Sequence, residues 1–108
     1  MKDGIYKVVF DSNVNLNGNC DGIVTIRDGH VNGGDYVCYY KGIFDGDKLS
    51  LNVIRHNPND TTVFNGVDNV VLDLTVSEMP GGGSFKGKVK SNPTLTIAGG
   101  MHLLSDLA

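Results

Sequence analysis

Apolar and polar residues alternate along most of this chain with a period of two. In Gly4-Ile5-Tyr6-Lys7-Val8-Val9-Phe10, the residues Tyr6, Val8 and Phe10 fall on one side. Successive side chains of a strand point to opposite faces, so this pattern predicts a half-buried strand. Residues 48–55 sort Leu49, Leu51 and Val53 from Lys48, Ser50 and Asn52. Residues 70–76 sort Val70, Leu72, Leu74 and Val76 from Val71, Asp73 and Thr75. Residues 22–27, 30–32, 36–44 and 84–90 read as further strands. A last one starts at Leu95 and is interrupted by Gly99-Gly100 before Met101. In residues 36–44, Tyr36, Cys38, Tyr40, Gly42 and Phe44 share a face, and the glycine there predicts a bulge or bend.

Turn chemistry separates these segments. Asp28-Gly29 between two extended runs is the strongest short hairpin signal. Gly33-Gly34-Asp35 and Asp45-Gly46-Asp47 reverse the chain again, Pro80-Gly81-Gly82-Gly83 reads as a loose turn, and Asn92-Pro93 as another. Asp11-Ser12-Asn13 opens a polar loop that runs through Asn15, Asn17, Gly18 and Asn19. One helical turn is predicted over 59–65, with Asn57 as N-cap, Pro58 at the first helical position and Gly66 closing it.

Seven or eight strands joined mainly by hairpin turns make an antiparallel meander. One-sided alternation means that one face is buried. Closing the sheet buries that face and removes the exposed edges together. The reading is therefore all-β: an antiparallel up-and-down barrel of seven or eight strands with one short helical turn, as a single domain over residues 1–108. A two-sheet sandwich is the alternative.

Composition sharpens this. The 108 residues include 15 Gly, 11 Asn, 11 Asp and 3 Pro, against two Ala, one Glu and no Gln, which excludes a helix bundle. The formal net charge is −3 with only two arginines, Arg27 and Arg55. That argues against direct nucleic-acid binding, which needs a basic field. No apolar run approaches a membrane span, and no leader-like apolar stretch opens the chain. The expected location is the cytoplasm, with Cys20 and Cys38 reduced as small half-buried hydrophobes.

Candidate chemistry is sparse. His30, His56 and His102 fall on separate segments, and no CxxC, P-loop or Gly-x-Ser-x-Gly elbow occurs. Arg55-His56-Asn57 suggests a remote hydrolase or isomerase reading, but a strand end followed by a helix cap explains it as well. No catalytic residue, metal site or cofactor is expected, and the chain does not read as an enzyme. Lys86, Lys88 and Lys90 form a stripe that reads as a solvated or lysine-protected edge strand. Tyr6, Phe10, Tyr36 and Tyr40, with Phe44 and Phe85, are the candidate interior lining, either as filled core or around a small apolar ligand.

Several strings together carry a resemblance. They are Met1-Lys2-Asp3-Gly4-Ile5-Tyr6 with Phe10, Arg27-Asp28-Gly29-His30-Val31-Asn32-Gly33-Gly34-Asp35, Tyr40-Lys41-Gly42 and Arg55-His56-Asn57. Over the stretch up to about Asn57 the chain resembles the GrlR-like family, the Grl repressors that negatively regulate type III secretion genes. The resemblance implies a small lipocalin-like barrel that forms a homodimer. It implies a role in sequestering a helix-turn-helix transcription activator without touching DNA. Partner capture would fall to an acidic loop, whose matching place is Asp45-Gly46-Asp47-Lys48, with Asp45 and Asp47 as the partner-binding residues. An acidic loop attracts a basic module mainly through on-rate. The alternative is a carrier of a small apolar ligand inside the barrel.

Overall fold

Each short polar linker turns the chain back beside the strand it has just left, and eight strands result. The computed structural model describes residues 1–14, 20–58 and 69–108. Its strands are β1 (Gly4–Ser12), β2 (Cys20–Arg27), β3 (His30–Gly34), β4 (Cys38–Asp45), β5 (Lys48–Arg55), β6 (Asn69–Met79), β7 (Gly82–Val89) and β8 (Asn92–Ser105). The turn chemistry is visible in the backbone. Asp28 and Gly29 both take positive φ, 51° and 77°, as a mirror-image two-residue hairpin turn demands. The predicted helical turn at 59–65 lies outside the described residues.

Every strand pairs antiparallel with the next, and β8 pairs with β1, so the sheet closes into a barrel. The ladder can be followed around it: Met79, Gly82, His102, Lys7, Ile23, Gly34, Tyr39, Ile54 and back onto β6 at Asn69. From Met79 to Asn69 is ten positions, so the barrel has eight strands and a stagger of ten. Such a stagger tilts the strands steeply and leaves an interior that side chains nearly fill.

The inward residues form stacked rings. One ring is Tyr6, Val24, Gly33, Tyr40, Val53 and Val70; the next is Ile26, Val31, Gly42, Leu51, Leu72 and Val89. Most of these are buried, with Ile26 at 0% exposure. Gly33 and Gly42 leave room between the bulkier members, which fits those side chains into a narrow barrel.

Several expectations are corrected by the structure; β1 runs through Asp11 and Ser12, and β8 runs through Gly99-Gly100. Tyr36 does not line the interior: it is 76% exposed, and β4 begins only at Cys38. The Asp35 carboxylate accepts the amides of Val37 (2.7 Å) and Cys38 (2.6 Å), which bends residues 35–37 and breaks the alternation there. Gly42 carries no bulge and pairs in register with Val31 and Leu51. A Cβ at Gly42 would meet the Ser50 oxygen at 2.7 Å and Leu51 Cδ1 at 2.8 Å, so the glycine serves close strand approach. The last turn falls at Lys90-Ser91, and Asn92-Pro93 open β8, where a missing N–H is tolerated. Finally, of the two readings of the lysine stripe the solvated one holds and the edge one does not: Lys86 and Lys88 are exposed, and β7 pairs with both β6 and β8.

Candidate functional site

The acidic hairpin sits at the barrel end that also carries the Asp28-Gly29 and Pro80-Gly81 turns. Gly46 takes φ 62°, which lets Asp45 and Lys48 pair across a two-residue turn. The turn is pinned to the next strand, because the Val76 amide donates to the Asp47 carbonyl at 2.8 Å. Asp45, Asp47 and Lys48 are all exposed. The Lys48 ammonium donates to the Thr75 hydroxyl at 2.9 Å, across to β6. The ion pairs among the described residues are Met1 amine–Glu78, Lys2–Asp106 and Lys7–Asp21, so neither Asp45 nor Asp47 is neutralised by one. The hairpin thus holds two carboxylates outward on a fixed backbone. Asp45 also borders a broad outer depression of about 1070 Å³, together with Asp11, Asp73, Lys48, Lys86 and Lys88.

The opposite end is organised by Asp35, which the sequence marks only as part of a turn. Besides the two amides, its carboxylate accepts the hydroxyl of buried Tyr40. Burial, then the hydrogen bond to Asp35 and its charge, push the Tyr40 hydroxyl far above the usual tyrosine range. His56 belongs to the same construction. Its Nε2 donates to the Asp35 carbonyl at 2.9 Å, and its amide donates to the Val37 carbonyl at 2.8 Å. The Asn57 amide shares that acceptor at 3.2 Å. Arg55-His56-Asn57 therefore serves as a staple that holds residues 35–37 against the end of β5. The sequence signal was Asp35 itself, placed two and three residues ahead of the amides it accepts.

Of the four candidate lining residues, Phe10 and Tyr40 border the interior cavity, their rings edge to face at 6.2 Å. Tyr6 is buried, but its hydroxyl donates to the Lys2 carbonyl at 2.6 Å near the other end. Tyr36 is outside, as described. The cavity measures about 50 Å³, and valines, leucines and Phe85 make up most of its wall. Cys38 is buried and Cys20 half-buried; neither is in a disulfide, and they lie on strands separated by β3. Among the described residues no group of three His, Cys, Asp or Glu is placed to hold a metal ion. No helix among them is long and apolar enough to cross a membrane.

A row of apolar side chains crosses the outer face, with Ile23 on β2, Tyr39 on β4 and Ile54 on β5 in one register line. Ile23 and Tyr39 are 45% and 42% exposed, and Gly34 between them leaves the row open. Comparison with protein-family models gives no match, and comparison with curated proteins finds no significant relative.

Proposed function

We propose that this barrel is a regulatory protein-binding module, acting like an anti-activator that sequesters a helix-turn-helix transcription regulator in the cytoplasm. The observation that carries the reading is the hairpin at Asp45 and Asp47. Lys48, the base within the hairpin, donates to Thr75, and no ion pair among the described residues involves Asp45 or Asp47, so the carboxylates face solvent on a pinned backbone. Preorganised acids speed encounter with the basic face of a DNA-binding module and exclude like-charged competitors. The protein acts as a homodimer through the Ile23, Tyr39 and Ile54 row, an apolar strip of the kind that marks an interface. The reading does not involve DNA contact, catalysis or a cofactor. The alternative of a small apolar-ligand carrier has less support, because pockets that bury drug-sized ligands measure about 300–1,000 Å³ and this cavity measures about 50 Å³.

The test is affinity capture at low salt on the immobilised protein, with mass-spectrometric identification of what is retained. A helix-turn-helix regulator is expected, its recovery falling several-fold in the Asp45→Asn, Asp47→Asn double variant and as salt rises. Recovery of no DNA-binding protein, or equal recovery by the double variant, overturns the assignment. Sedimentation of Tyr39→Lys tests the dimer, which should dissociate.

A further inference from the structure

We propose that the cavity inside the barrel is a binding site for one small apolar guest, a xenon atom or a molecule of one to three heavy atoms. This is independent of the partner-binding reading. The volume sets the size of the guest. At about 50 Å³ the space exceeds the roughly 10–15 Å³ that one water-sized sphere needs. It is a third of the roughly 150 Å³ that admits benzene in an engineered protein cavity.

The lining sets the chemistry. It contributes no polar surface. Tyr40 borders it, but that hydroxyl is committed to Asp35. A buried water needs two to four polar partners, so water gains nothing by entering. An apolar guest recovers the dispersion contacts that the wall atoms otherwise lack.

The space persists because the wall cannot close on it. A ladder closed around eight strands with a stagger of ten fixes the interior radius. Val8, Val24, Val31, Leu49 and Leu72, from five of those strands, line the space. Collapse would require breaking cross-strand hydrogen bonds. Leu51 and Phe85 border the cavity and are themselves only half-buried.

The probe is xenon, with methyl-resolved NMR of the whole chain. Saturable shifts are expected at the methyls of Val24, Val31, Leu49 and Leu72, with the outward Ile23 and Ile43 unmoved. Val31→Ile adds one methylene to the wall and should weaken xenon binding at least tenfold while leaving the fold intact. Leu72→Ala enlarges the space, and benzene should then raise its Tm without raising that of the parent chain. Shifts that never saturate, that spread equally to Ile23 and Ile43, or that persist unchanged in Val31→Ile overturn the proposal. So does a Leu72→Ala barrel that folds and ignores benzene.

Discussion

Two adjacent glycines on β8 should respond oppositely to the same substitution. Gly99 faces inward between Phe10 and Phe85, and Gly100 faces outward beside Val9 and Ser84. A Cβ at Gly99 would overlap the Val9 carbonyl oxygen and lie 2.8 Å from Phe85 Cζ and 2.9 Å from Phe10 Cα. Two of these obstacles are backbone atoms of β1, so relief means parting β8 from β1 at the seam that closes the barrel. Overpacking costs about 1–3 kcal/mol, and two lost ladder hydrogen bonds add about 1 kcal/mol each. Gly99→Ala should therefore cost about 3–5 kcal/mol, against a total of about 5–15 kcal/mol for such a domain. At Gly100 the nearest atom to a Cβ is the Gly83 oxygen at 3.7 Å, an ordinary contact. Gly100→Ala should be neutral or stabilise by up to about 1 kcal/mol, since alanine has less freedom to lose on folding. Thermal melts followed by circular dichroism separate the two, because about 4–8 °C of Tm accompanies each kcal/mol in a domain of this size. If Gly99→Ala melts within about 4 °C of Gly100→Ala, the β1–β8 contact is looser than described and the argument for a rigid seam fails.

Other substitutions and conditions test the Asp35 end. Tyr40→Phe keeps the ring against Phe10 and removes only the hydroxyl bonded to Asp35. A hydrogen bond to a charged group contributes about 1.5–3 kcal/mol, so urea denaturation should show a loss of about 2 kcal/mol. A loss under about 0.5 kcal/mol would mean the bond contributes nothing to folding. Alkaline pH should act through the same hydroxyl. Burial raises Tyr40, and less strongly Tyr6, above the ordinary 10.0. The folded chain then holds those protons more tightly than the unfolded one, so their contribution is complete below pH 10 and shrinks as pH rises beyond it. In a titration at 295 nm, the last phenolate absorbance should appear only as the circular dichroism collapses. Complete ionisation in a barrel that still gives its native spectrum contradicts the assignment.

The strands themselves were legible from particular residues. Leu49, Leu72 and Leu74 stand at alternate positions and are buried, because burial on one face of a pleated ribbon obliges a period of two. Asp28-Gly29 and Asp45-Gly46 were legible as turns because glycine, and aspartate at Asp28, take positive φ more cheaply than most residues. Tyr36 misled for the converse reason. Alternation counts positions, and a side chain two residues from Cys38 has the right parity whether or not the backbone is extended. What bends it is the Asp35 carboxylate, whose preference for two nearby amides leaves no periodic mark. The Gly99-Gly100 pair read as an interruption, yet β8 runs through it unbroken. The missing side chain at Gly99 is room for Phe10 and Phe85, which come from β1 and β7.

The candidate hairpin divides the same way. Its two acids and tight turn are local and were readable from four residues. That Lys48 leaves them for Thr75 depends on β5 lying against β6 in one register, 27 residues apart in the chain. From the order of residues alone come the strand class, the meander and most turns, since these follow from preferences acting within a few bonds. The register in which β8 meets β1, the stagger of ten, the 50 Å³ space and the Asp35–Tyr40 pair belong to the tertiary structure. Each depends on which distant strands meet and in what register, and cross-strand packing decides that after every local preference is satisfied.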